Sequence, residues 1–101
     1  MAGRRYRQVH INGHSMVPTL ADGDLVLARL DTQAKPDDLV LVRWPSRPGQ
    51  LSVKRAQWAE GGGWFVVGDN PAASTDSHQL GPATVVGVIR WRLWPRPRRL
   101  R

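Results

Sequence analysis

The apolar positions of this chain fall into short runs cut by glycine, proline and aspartate, and no stretch holds a helical period. Leu25-Val26-Leu27-Ala28-Arg29 follows the turn signal Gly23-Asp24 and has strand length. Leu39-Val40-Leu41-Val42-Arg43-Trp44 is rich in β-branched residues and ends at Pro45, Pro48 and Gly49. Leu51-Ser52-Val53-Lys54-Arg55 alternates as a half-buried strand should, and Gly61-Gly62-Gly63 marks a hairpin loop before Trp64-Phe65-Val66-Val67. Val9, His10, Ile11 and Asn12 form a first short strand, and residues 85–93 a last one, broken at Gly87. Asp22, Asp31, Asp37 and Asp38 sit in turns. A short helical turn is expected only at residues 18–20, where Pro18 suits a first helical position. Many short strands between Gly/Pro turns predict a mainly β fold, a compact sandwich or partly open barrel of antiparallel strands.

With 101 residues the chain makes one domain with one modest core. It has no cysteine, so disulfides and thiolate metal sites are excluded, in keeping with a reducing compartment. No apolar run approaches the roughly 20 residues of a membrane span. Residues 1–7 carry charge with no apolar stretch behind them, unlike a signal peptide. The formal charge is +7, but its location changes its meaning. Nine of the 15 Lys and Arg lie at the ends, in residues 4–7 and 90–101. Six remain against eight Asp and Glu between them, a formal −2. The chain is therefore read as a basic arm over residues 1–8, a folded domain over 9–94, and a basic disordered tail over 95–101. The ends are expected to be solvated, with weak contact to an anionic membrane through the terminal Arg, Trp91 and Trp94. Trp44, Trp58 and Trp64 read as core or hairpin packing. No specific nucleic-acid partner is expected.

Ser15, in Gly13-His14-Ser15-Met16-Val17-Pro18-Thr19-Leu20, draws the chemistry. A serine hydroxyl is a poor nucleophile until a base takes its proton. No His/Asp pair is arranged to do so, but Lys54 stands at the end of a strand-like run. A lysine can act if burial strips its charge, lowering its pKa from roughly 10.4 towards neutrality. Ser-Lys dyads are an established variant of the Ser-His-Asp solution. His10, His14 and His78 show no metal-ligand spacing, and no cofactor or metal is expected.

Residues 13–20 resemble the nucleophile box of type I signal peptidases, the S26 family of Ser/Lys proteases. Val53-Lys54-Arg55 resembles their general-base box. Gly68-Asp69-Asn70, followed by Ser74-Thr75-Asp76-Ser77-His78 and Gly81, resembles their third box. The boxes occur in the family's order and span roughly residues 9–92. The resemblance implies a LexA/signal peptidase-like β-fold, with Ser15 as nucleophile and Lys54 as general base. It implies that Ser74 orients the lysine, that Arg55 and Asp69 form a structural ion pair, and that Asn70 and Asp76 are structural. The Ser15 N–H would supply half of an oxyanion hole. The strands carrying Val9, His10, Ile11, Asn12 and Gln50, Leu51, Ser52, Val53 would border the substrate cleft.

The chain departs from the family in three places. Gly13 stands where some members carry an oxyanion-binding serine. His78 replaces an arginine. Only 13 residues separate Lys54 from Gly68, so the accessory insertion is missing, and no N-terminal anchor is evident. These features are similar to the short, anchorless members associated with maturation of nickel-type superoxide dismutase. The expected partner is then a cytoplasmic precursor with an extended N-terminal leader, cut by a cytoplasmic serine endopeptidase. Three other readings stand beside this one. The first is a general signal peptidase acting on secretory preproteins. The second is a LexA-like regulator fragment, which would need a helical DNA-binding domain and an upstream cleavage site. The third is a basic nucleic-acid-binding module, which leaves the three boxes unexplained.

Overall fold

The computed structural model describes residues 5–100. Among these residues seven strands form one antiparallel sheet: β1 (Tyr6–His10), β2 (Leu25–Arg29), β3 (Leu39–Arg43), β4 (Ser52–Glu60), β5 (Gly63–Val67), β6 (Thr84–Trp94) and β7 (Arg98–Arg99). Their order is β1-β2-β6-β3-β4-β5, with β7 paired to β6. The mainly β reading is correct, and β2 lies where its run predicts.

β3 explains the architecture. Its run is buried at every position from Leu39 to Val42. Alternate residues point to opposite faces of a strand, so β3 feeds two cores. Leu39 and Leu41 join Ile11, Met16, Leu20, Val26 and Ile89, whereas Val40 and Val42 join Trp44, Ala56, Val66 and Val88. The long β6 pairs with β2 through its C-terminal half and with β3 through its N-terminal half. Three register shifts along it bend the sheet. The break expected at Gly87 is one such irregularity within a continuous strand. A Cβ at Gly87 would stand 3.0 Å from the Arg29 carbonyl oxygen and 3.0 Å from Leu30. The glycine lets β6 cross that neighbour closely.

Other boundaries also differ from the expectation. The first strand begins at Tyr6 and ends at His10, so part of the expected arm is paired with β2, while Ile11 and Asn12 belong to the following loop. Val9 packs on the core and anchors this edge strand. The tail expected to be disordered folds back: Arg98 and Arg99 pair with Arg92 and Trp91, and Leu100 is buried in the core. The Leu100 N–H also donates to the Arg90 carbonyl at 2.6 Å, so backbone pairing and one buried apolar side chain dock the basic segment together. Arg101 lies outside the described residues. Residues 18–20 form turns rather than helix, and the helical pieces lie elsewhere, a 3₁₀ turn at Pro71–Ala73 and the short helix α1 (Ser77–Leu80). α1 is started by Asp76, whose carboxylate accepts from the His78 N–H while its own N–H donates to the Gln79 side chain. Among the tryptophans, Trp44 is buried and donates to the Gly81 carbonyl at 2.9 Å, and Trp58 stacks on Phe65 across the β4–β5 hairpin. Trp58, Trp91 and Trp94 are exposed. Among the described residues no helix is long and apolar enough to cross a membrane.

Candidate active site

The loop between β1 and β2 carries Ser15. It is pinned at its neck, where Ile11 N–H donates to the Asp24 carbonyl and Gly23 N–H to the Ile11 carbonyl, both at 2.8 Å. Met16 and Leu20, each 1% exposed, sink into the core beneath it. Gly13 takes φ +87°, a left-handed conformation that side chains oppose, and its N–H donates to Asp22 Oδ1 at 2.7 Å. A half-buried serine on a rigid, doubly anchored loop results.

Lys54 comes from β4, opposite Val40 of β3. It is only 4% exposed. Its Nζ donates to Ser74 Oγ at 3.2 Å. Ser74 Oγ in turn donates to Asp76 Oδ2 at 3.0 Å. The direction follows from the inventory of protons: an ionised carboxylate only accepts, so the hydroxyl proton goes to Asp76 and the Ser74 lone pair faces the lysine. Burial lowers the Lys54 pKa from its ordinary 10.5, and the negative Asp76 opposes that only in part. Burial thus makes the charged form of Lys54 less favourable than it is in water.

Asp76 is held ionised. Burial alone would raise its pKa, but hydrogen bonds from the Gly68 and His78 amides, the His78 ring and Ser74 bring it below 3.8. Its Oδ2 serves Gly68 and Ser74, and its Oδ1 serves His78. The third-box loop also grips the nucleophile loop. Asn70 N–H donates to the Ser15 carbonyl at 2.8 Å and its side-chain amide to the His14 carbonyl at 3.0 Å. Gly68 makes that approach possible, because a Cβ there would run into Ser74 and stand 2.8 Å from the Ser15 oxygen.

Arg55 leaves β4 on the other side. It meets Asp69 through Nη2–Oδ2 at 2.6 Å and Nε–Oδ1 at 3.2 Å, and donates to the Asp37 carbonyl at 3.0 Å. Thr19 Oγ1 adds a 2.5 Å bond to Asp69. Burial raises the Asp69 pKa, and the Arg55 and Thr19 bonds with the Arg55 charge more than reverse it. The pair ties β4, the nucleophile loop and the third-box loop together.

The structure therefore brings Ser15, Lys54, Ser74, Arg55, Asp69, Asn70 and Asp76 into one neighbourhood. An open cleft of about 380 Å³ runs past Ser15 and Lys54. Val9, His10, Ile11 and Asn12 line one side, and Gln50, Leu51, Ser52 and Val53 line another. Sequence reasoning placed Thr19, Met16 and Gly68 in the boxes but gave them no role. Thr19 and Met16 lie inside the nucleophile box and Gly68 opens the third box, so box position was the available signal. Their partners could be known only in three dimensions. Among the described residues no three His, Cys, Asp or Glu side chains converge as a metal site.

This arrangement can supply a hydroxyl nucleophile, a proton acceptor of lowered basicity and a groove for an extended chain. Comparison with known proteins finds peptidases. A family model described as peptidase S24-like matches residues 2–90. The mitochondrial ATP-independent inner membrane protease subunit 1b of Arabidopsis thaliana is 31% identical, over 82% of this chain and 67% of the relative. Subunit 1a of the same protease is 32% identical, over 85% of this chain and 69% of the relative.

Proposed function

Because this chain belongs to the peptidase S24-like family and is a signal peptidase-like protease, we propose that it is a serine endopeptidase with a Ser15/Lys54 dyad that removes N-terminal leader peptides. The observation that carries the reading is the buried Lys54, hydrogen-bonded to Ser74 and lining the same cleft as Ser15.

Neutral Lys54 takes the Ser15 proton as Oγ attacks the scissile carbonyl. The Ser15 N–H stabilises the oxyanion; loss of one such donor typically costs about 100- to 1000-fold in rate. The lysine then returns the proton to the leaving amine, and a water activated by the same amine hydrolyses the acyl-enzyme. Ser74 holds one Lys54 N–H, so the nitrogen lone pair can turn to Ser15. Asn70, Arg55, Asp69 and Asp76 keep the two loops and the strand in register. The substrate lies extended between the two cleft walls, with backbone hydrogen bonds supplying much of the affinity. Small residues are favoured before the cut.

For the physiological substrate we propose the leader of a nickel-type superoxide dismutase precursor, which implies a cytoplasmic location. The support is the short β4–β5 hairpin that joins base to third box, leaving no accessory domain. The new N-terminal amine would serve as a nickel ligand, which a peptide-blocked amine cannot. The second reading, a leader peptidase for secretory preproteins, is favoured by the names of the two relatives given above, both subunits of an inner membrane protease. The test is incubation of purified protein with a nickel superoxide dismutase precursor and with a secretory preprotein. Cleavage of the first alone is expected. Cleavage of only the second returns the chain to the general role, and no cleavage of either, with Ser15→Ala as control, defeats the peptidase reading.

A further inference from the structure

Among the described residues, every titratable side chain lining the cleft is basic: His10, His14, Arg47 and Lys54. No carboxylate among them lines it. The loops around it are not short of acids, but those acids are engaged away from it. Asp22 accepts from Gly13 N–H, and Asp24 accepts from Ala21 N–H and faces Arg92 at 3.6 Å. Asp69 is held by Arg55 and Thr19, and Asp76 by Gly68, Ser74 and His78.

Arg47 is the contrast. Its backbone is fixed in the β3–β4 turn, where Arg47 N–H donates to the Trp44 carbonyl at 3.0 Å and Gln50 N–H to the Arg47 carbonyl at 3.1 Å. Trp44 is itself buried and bonded to Gly81. The exposed Arg47 side chain makes no ion pair or hydrogen bond among the described residues. A well-placed guanidinium is thus left free at the rim of a groove with no acid of its own. Such a group matches a carboxylate in a bidentate fork.

We propose that the cleft selects leader peptides bearing an acidic side chain, and that Arg47 reads it. The inference rests on the peptidase reading and specifies its substrate class. The segment from Gln50 to Lys54 sets the distance. At about 3.3 Å per residue, an extended substrate beside it meets the Arg47 end about three to five residues from the cut. His10 and His14, on the facing wall, add ring hydrogen-bond partners and no repelling carboxylate. Exposed pairs of this kind are modest, so the preference should be about 2- to 5-fold, carried in KM and screened by salt.

The test uses quenched fluorogenic peptides with alanine before the cut and Glu, Gln or Lys placed three to five residues away. The wild-type protein should cut the Glu peptide at the lowest KM and the Lys peptide at the highest. Added salt should narrow the gap, and Arg47→Glu should invert the order. Binding of the same labelled peptides to Ser15→Ala, read by fluorescence anisotropy, follows the preference without turnover. Equal affinities for the three peptides, or an order unchanged in Arg47→Glu, would overturn the proposal and leave the peptidase reading standing. Acid-selective binding without cleavage would do the reverse.

Discussion

Lys54 and Arg55 are adjacent in β4, carry the same formal charge and face different surroundings. Arg55 meets the carboxylate of Asp69 and the Thr19 hydroxyl. Lys54 meets a hydroxyl, Ser74, with the carboxylate of Asp76 one bond further on. A cation in contact with a carboxylate keeps its proton and becomes a strut. A buried amine that contacts only a hydroxyl has its proton loosened, and the more distant carboxylate restores part of the charge without fixing it. Arginine cannot be deprotonated in proteins, whereas lysine shifts readily on burial. Residue type and partner therefore agree at both positions: one side of the strand stabilises, and on the proposed mechanism the other supplies the base.

The largest effect should come from erasing the difference at the reactive side. Lys54→Ala and Lys54→Arg should each lower kcat/KM by about 10²- to 10⁴-fold, the usual worth of a positioned base. Ser15→Ala should match them. Lys54→Arg restores a cation but no acceptor, so recovery of turnover in that variant would refute a lysine base. Thermal unfolding should shift little in Ser15→Ala, which separates chemistry from folding.

The structural side should answer in stability. Arg55→Ala leaves Asp69 without its bidentate partner in a partly buried site. A loss of about 1–3 kcal/mol is expected, read as a lower urea midpoint, with Arg55→Lys retaining part of it. If Arg55→Ala unfolds at the wild-type midpoint, the pair is no strut. Ser74→Ala falls between the two sides. It should reduce kcat by about tenfold, or roughly 1.4 kcal/mol of barrier, with KM little changed, because Ser74 orients the lysine rather than the peptide.

Acid should separate the two sides by pH. Activity should rise with pH through a value below lysine's ordinary 10.5, because Lys54 works only when neutral. A rate flat from about pH 8 to about pH 5 would contradict that. Stability runs on different groups. The Asp69 and Asp76 pKa values are lowered in the folded state, so their contribution is present above 3.8 and is lost as pH falls through the lowered values. Lys54 has the opposite consequence: its unfolded form binds a proton more readily, so its burial disfavours folding below 10.5 and the penalty fades as pH rises towards that value. Activity should therefore be lost on acidification before circular dichroism reports unfolding. The smallest effect belongs to His78. Its side chain is 65% exposed, and removing it should change the unfolding free energy by less than about 0.5 kcal/mol, read from urea denaturation. A measurable rise in KM or fall in kcat for His78→Ala would show that it positions Asp76 as well as touching it.

The fold was legible where one strand's burial is written in its own residues. Leu25 to Arg29 and the run from Leu39 to Val42 needed no partner to be recognised. The ends were misread because their charges dominate the composition, while pairing with β2 and β6 and the packing of Val9 and Leu100 on the core dock them. The helical turn was expected at Pro18, but the helical pieces formed at Pro71–Ala73 and Ser77–Leu80, where a capping aspartate and close loop packing favour them. The site residues were legible as three ordered boxes. The bonds that join them were not, since Ser74 to Lys54 spans 20 positions and Thr19 to Asp69 spans 50.

By itself, then, the sequence determined a small cysteine-free β domain, the strands at its centre, and a serine and lysine worth pairing. Those follow from local quantities: side-chain period, turn chemistry and residue type. Only the tertiary structure decided that Lys54 is buried, that its neighbour Arg55 is not left free, and that Asp76 stands one hydroxyl away from the lysine. It also decided that Arg47 lines a cleft that holds no acid among the described residues. Each of these depends on which charges are excluded from water and which are brought within hydrogen-bonding distance, and neither property belongs to a residue until the sheet has closed around it.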